Sequence, residues 1–264
     1  MSLVFAAITP HPPLLIPTIG KDSLQKITKT KEALQKLEED LYLAKPDCVV
    51  VISPHGPLLS DAFTIHYNAT YTTDFKEFGD LTTVQTFAGE MQLPPEVRSA
   101  SKTNGIPATI VTEEKLDHGT AVPLICLMPH LQGVTVMPIG FSGLDAKTHL
   151  DFGYLMKDEI LKTNKRVAVI ASGDLSHALT TDAPAGFNAA GVEFDKKIQE
   201  LLASHNTTGM LGLDVKFLTD AAECGFRSFL ILMGILRDIN YTYQSYAYEA
   251  PFGVGYLTAH FLLS

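Results

Sequence analysis

The sequence predicts an α/β fold, with a single three-layer domain over residues 1–264 built on a central mixed β-sheet flanked by helices. Three observations carry this prediction. Short, continuously apolar runs rich in β-branched residues, DCVVVIS at 47–53 and RVAVIAS at 166–172, read as strands covered on both faces. Longer segments with apolar residues near 3.6-residue spacing alternate with them, which places helices on both sides of a sheet. No internal repeat, low-complexity tract or Ser/Gly linker divides the 264 residues.

Taken in order, residues 3–8 read as a buried strand. Residues 21–44 read as an amphipathic helix, because Leu24, Ile27, Leu34, Leu37 and Leu41 fall on one stripe with charges between them. The second buried strand is 47–53. Weaker strands follow at 62–67 and 81–86, and a helix begins near Pro94. Strands are expected at 108–111, 133–138 and 166–172, and helices at 121–129, 146–163, 188–204 and 225–237. Residues 241–248 and 253–261 read as two closing strands. The near-alternation of Tyr241, Tyr243, Tyr246 and Tyr248 suits an edge strand better than a substrate cage.

Composition removes several classes of function. Lys+Arg total 20 against 29 Asp+Glu, a formal charge of −9. With no basic run, the chain lacks the positive face that a nucleic-acid partner or an anionic membrane surface would need. The most apolar stretch, 229–236, is too short to span a bilayer. The start, MSLVFAAITPHPP, has no positive n-region and meets Pro10 early, unlike a signal peptide, so a cytoplasmic location is expected. Cys48, Cys126 and Cys224 are scattered and form neither a disulfide framework nor a zinc knuckle. A mean hydropathy of +0.14 is consistent with a homo-oligomer.

The chemistry gathers in the histidines. Four of the nine lie just after predicted strands or in tight loops: His11 in TPHPP, His55 in SPHGP, His118 in LDHGT and His177 in SGDLSH. Loops beyond the carboxyl ends of strands are where ligands bind in such folds. An imidazole there supplies both a metal ligand and a group that titrates near neutrality. Two imidazoles and a carboxylate suit non-haem iron(II), and also zinc. HExxH, GxSxG, GxGxxG and the P-loop are absent. His66, His130, His149, His205 and His260 fall in strands, at helix ends or on polar helix faces and read as structural or solvated. Asp174 reads as shaping its loop and orienting His177.

The ordered set TPHPP, SPHG, DHGTAVPL and SGDLSH resembles the class III extradiol ring-cleavage dioxygenases, their catalytic B subunit and the related stand-alone proteins that include a Memo-like branch. The resemblance spans most of the chain. It implies an iron(II) site with His11 and His55 as ligands and His177 as the acid/base. It places His118 in the pocket, holding substrate or oxygen. The third ligand it implies is a Glu at the start of a helix, which Glu223 in AAECGFRS matches. Cys224, the residue type that the Memo-like branch uses there, and Glu249 in YEAPFG are the rivals.

The function so implied is ring opening of an ortho-diphenol by O2 beside the diol, giving a semialdehyde. Zinc or another divalent metal could replace the iron. The competing expectations are a Memo-like metal- or ligand-binding scaffold without catalysis, and a zinc-dependent hydrolase.

Overall fold

The continuous β-branched runs lie together in the middle of one sheet, where both faces need cover. In the computed structural model, which describes residues 2–264, the strands are β1 (Leu3–Thr9), β2 (Cys48–Ser53), β3 (Phe63–His66), β4 (Thr70–Phe75), β5 (Asp80–Ala88), β6 (Ala108–Val111), β7 (Thr135–Gly140), β8 (Val167–Ser172), β9 (Tyr241–Glu249) and β10 (Tyr256–Leu263). Eight of them form the sheet β6-β3-β7-β2-β8-β1-β10-β9, and β4 pairs with β5 in a separate hairpin. The four central strands β7, β2, β8 and β1 are parallel. Antiparallel pairs β3–β7, β1–β10 and β10–β9 make the sheet mixed.

The helices are α1 (Pro17–Gly20), α2 (Thr28–Ala44), α3 (Leu93–Thr103), α4 (His118–Leu127), α5 (Ala146–Lys162), α6 (Ala189–Ala203), α7 (Thr207–Leu211), α8 (Val215–Asp220) and α9 (Phe226–Ile235). Successive residues of a strand face opposite sides of the sheet, so the two faces can be read from β2. Cys48, Val50 and Ile52 join one core with Val97 of α3, Phe152 of α5, Ile198 of α6 and Phe229 of α9. Val49 and Val51 join the other with Leu34, Leu37 and Leu41 of α2 and Leu124 of α4. Each of these fully buried aliphatic side chains contributes about 1.5–3 kcal/mol relative to exposure.

The predicted elements differ from the observed ones in several places. Residues 21–27 form a 3-10 segment, and α2 begins only at Thr28. Its start is capped by Glu249, whose Oε1 accepts from the Thr30 amide at 2.6 Å. Glu249 therefore serves helix α2 and does not enter the crevice. Strand β4 was not expected, since TYTTDF has few apolar residues and buries only alternate positions. The short helices α1, α7 and α8 were not expected either. Helix α4 starts at His118, earlier than the expected residue 121, because Asp117 caps it by accepting from Thr120 N at 3.0 Å. The Tyr-rich β9 is an edge strand, as expected.

Candidate active site at the carboxyl ends of the central strands

Strands β2, β8 and β1 are neighbours and parallel, so the loops that leave them meet at one end of the sheet. His11 leaves β1, His55 leaves β2 and the segment 173–177 leaves β8. His118 arrives from the first turn of α4. Nitrogen atoms of His11, His55 and His118 all lie within 4.8 Å of one another. The Nε2 atoms of His11 and His55 are 3.0 Å apart. The His118 ring stacks on His55 at 4.1 Å between centroids.

The orientation of His11 follows from a chain of hydrogen bonds that begins with a proline. Pro123 sits inside α4 and has no N–H to donate to the carbonyl four residues back, that of Gly119. The Ser172 hydroxyl donates to that carbonyl at 2.5 Å. Having committed its proton there, Ser172 Oγ can only accept from His11 Nδ1, 2.8 Å away. His11 is thereby fixed as the Nδ1–H tautomer, and its Nε2 lone pair faces the site.

A second serine organises His55. Ser53 Oγ donates to Asp117 Oδ1 at 2.5 Å and accepts from the His55 amide at 3.2 Å. Asp117 also accepts from the amide and hydroxyl of Thr120. One carboxylate thus joins the loop after β2 to the helix that carries His118. Sequence reasoning missed Ser53 and Ser172. The visible signal was that both β-branched runs end in Ser immediately before a loop that bears a site histidine.

Asp174 joins the other two loops. Its Oδ1 accepts from the His11 amide at 2.9 Å, and its Oδ2 lies 3.8 Å from His177 Nε2. His177 Nδ1 faces the Ala222 carbonyl at 3.2 Å and donates to it, which leaves Nε2 as an acceptor. Tyr248 does not reach the pocket, because its hydroxyl donates to Asp195.

Glu223 and Cys224 divide their roles in a way the sequence left open. The Glu223 carboxylate turns to the start of α9, where it accepts from Phe226 N at 2.7 Å. Cys224 instead presents Sγ 3.5 Å from Nε2 of both His11 and His55. The remaining histidines serve packing and pairing. His130 meets Glu38, His149 accepts from Ser142 N, His205 stacks on Tyr241, and His260 lies against Tyr246 and Asp40. His66 is buried in β3.

Burial sets the charge state of the cluster. It holds His11 well below the ordinary imidazole value, with His55, His118 and His177 adding repulsion. Burial and the neighbouring His118 push His55 down to about 4. Burial also lowers His118 and His177. Asp174 and Glu223 are both pushed up to about 7 by burial, and the Cys224 thiol is raised by burial and by Asp174.

Neutral imidazoles are the form that ligates metals. Two imidazole nitrogens 3.0 Å apart cannot both aim lone pairs at each other without a proton or a cation to bridge them. A thiol beside them offers the negative charge that such a cation would draw out. This donor set fits a divalent transition metal.

Comparison with known proteins identifies the family. The family described as the catalytic LigB subunit of aromatic ring-opening dioxygenase matches residues 5–259. The chain is 29% identical over 265 residues to Protein CA_C1420 of Clostridium acetobutylicum, a match covering 97% of this chain and 57% of that protein. It is 25% identical over 189 residues to a 4,5-DOPA dioxygenase extradiol of Mirabilis jalapa, covering 69% of this chain and 68% of that one. The solved structure of the uncharacterized protein JW3007 from Escherichia coli K12 has the same fold. Its TM-score is 0.67 at 16% identity, with 97% of this chain and 99% of that one covered. With the family matched from β1 into β10 and its histidine loops converging beyond β1, β2 and β8, this chain belongs to the family of the catalytic LigB subunit of aromatic ring-opening dioxygenases.

Proposed function

We propose that this protein is an iron(II)-dependent extradiol dioxygenase that opens a small catecholic ring with O2. His11, His55 and Cys224 would hold the metal, and Glu223 caps α9 beside them. The observation that carries this reading is the meeting of His11 Nε2, His55 Nε2 and Cys224 Sγ within 3.0–3.5 Å. Iron(II) bound there supplies an electron relay between an ortho-diphenol and dioxygen.

The chain's own residues do the rest. His177 accepts a proton from a diol hydroxyl at Nε2, which its Nδ1 hydrogen bond leaves free, and returns it as the ring opens. His118 hydrogen-bonds a substrate oxygen while its ring lies on His55. The carbon–carbon bond beside the diol breaks, both oxygen atoms of O2 enter the product, and a semialdehyde results.

Cys224 is also the observation that favours a second reading, the Memo-like metal-binding scaffold, because a thiolate occupies the place where the ring-cleaving resemblance implies a carboxylate. One experiment separates these readings. Iron stoichiometry is measured after anaerobic loading of wild type, His11→Ala, Cys224→Ala and Glu223→Ala, followed by oxygen uptake with catechols. One iron in wild type and in Glu223→Ala, little in the other two, and catechol-dependent uptake are expected. Iron binding without uptake on any catechol leaves the scaffold reading. Full iron in His11→Ala removes the site.

A further inference from the structure

We propose that the cavity beside His55 and His118 selects diols with a cationic substituent over those bearing a carboxylate, with Asp74, Glu77 and Phe78 of the β4–β5 hairpin as the specificity-determining residues. This rests on the ring-cleavage reading and adds a substrate class to it.

The cavity measures about 340 Å³, toward the lower end of the range for small-molecule sites. Phe78, on the turn between β4 and β5, packs its ring against His118 at 5.2 Å in a T-shaped contact. It therefore forms a wall next to the imidazoles. The hairpin is fixed in place and does not hang free. Thr72 N donates to Glu114 O at 2.8 Å, and Leu116 N donates to Thr72 O at 2.9 Å.

Lys115 is the single Lys or Arg among the described residues lining this cavity. Its Nζ lies 3.2 Å from Asp74 Oδ1 and 3.1 Å from Glu77 Oε1, while the exposed Lys76, outside the lining, reaches Asp74 Oδ2 only at 4.0 Å, so inside the cavity two hairpin carboxylates share one ammonium. Glu113 and Asp117 line the same space without a further Lys or Arg.

A diol that reaches the metal beside His55 extends its substituent along Phe78 toward this group. A carboxylate there would have to take Lys115 from two partners and face the remaining acids. An ammonium meets carboxylates directly and can lie over the Phe78 ring, an attraction that a carboxylate does not have. Discrimination of this kind comes as much from repelling the wrong charge as from holding the right one.

The test is calorimetric binding to the metal-loaded protein without oxygen at low salt, using dopamine, 4-methylcatechol and 3,4-dihydroxyphenylacetate. These share the diol and differ in the charge of the substituent. Dopamine should bind tightest and the carboxylate weakest, about tenfold or more apart, with the gap narrowing as salt is added. Asp74→Asn combined with Glu77→Gln frees Lys115 and should reverse the order. The wild-type series stands even if that variant fails to fold. Equal affinities, or a carboxylate-first order in wild type, overturn the proposal while leaving ring cleavage intact. Failure of 4-methylcatechol and both charged diols to bind overturns the ring-cleavage reading and this proposal together.

Discussion

Ser172 shows how little of a site need touch the substrate. Its hydroxyl proton goes to the carbonyl that Pro123 leaves free, and its lone pair fixes the tautomer of His11. Ser172→Ala removes the acceptor for His11 Nδ1–H, so the ring can rotate or change tautomer. Loss of an outer partner of this type costs roughly 10–100-fold in metal affinity. Ser172→Thr keeps the hydroxyl and should recover most of that loss. The measurement is metal affinity by competition with a chelator, together with the ¹⁵N shifts of His11, which report the tautomer. Unchanged affinity and shifts in Ser172→Ala would remove Ser172 from this role. A general loss of packing would lower the affinity in the Thr variant as well, since Ser172 is fully buried.

At the scale of elements, the site depends on how closely the loop after β8 meets the start of α9. Gly173 and Gly225 pack backbone to backbone. A Cβ on Gly173 would lie 2.2 Å from the Gly225 Cα, and one on Gly225 would lie 2.8 Å from the Gly173 Cα. This contact brings the strand that leads to His177 up against the turn that presents Cys224. Gly173→Ala forces the two backbones apart. It should cost about 1–3 kcal/mol, the usual cost of overpacking, and should weaken metal binding in the same variant. Chemical denaturation with metal titration checks both, and a variant that keeps wild-type stability and affinity would refute the argument. Such contacts explain what could be read from the sequence and what could not. The central strands were legible because continuous Val and Ile runs have one common solution, burial on both faces. The positions of the loop histidines were legible because TPHPP, SPHG and SGDLSH place His11, His55 and His177 after strands and DHGT places His118 at a helix start. Which of Glu223 and Cys224 faces the imidazoles was not legible, because the two are adjacent and only the turn into α9 decides it. Strand β4 was not legible, because TYTTDF has few apolar residues and its Tyr71 and Phe75 are buried only by joining the core that contains α2 and α4. The early start of α4 could have been read from Asp117 and Thr120, whose spacing is that of a capping residue and its partner.

For the whole molecule, the buried titratable groups set a dependence of stability on pH whose sign can be worked out. His11, His55, His118 and His177 are held below 6.5 in the fold, as are His66, His149 and His260. Unfolding restores their ordinary value of about 6.5. From pH 6.5 down toward 4, the value reached by His55, the unfolded chain therefore takes up protons that the fold refuses, and stability falls as acid is added. Asp174 and Glu223 at about 7 and Asp195 at about 6 act in the opposite sense. They keep protons in the fold that the unfolded chain releases above about 4, so their contribution is present at low pH and is lost as pH rises toward 7. The imidazoles outnumber these carboxyls, so the net slope between pH 4 and 6.5 follows the imidazoles. Each fully shifted group contributes about 1.4 kcal/mol per pH unit within its window. Metal binding adds to this slope, because its ligands must be free of protons and its stabilisation of the fold shrinks as affinity falls. Thermal unfolding of the metal-free protein should show Tm dropping between pH 6.5 and 5, with a steeper drop once metal is added. A Tm that rises over that interval in the metal-free protein would mean that the buried carboxyls, and not the histidine cluster, dominate its proton balance.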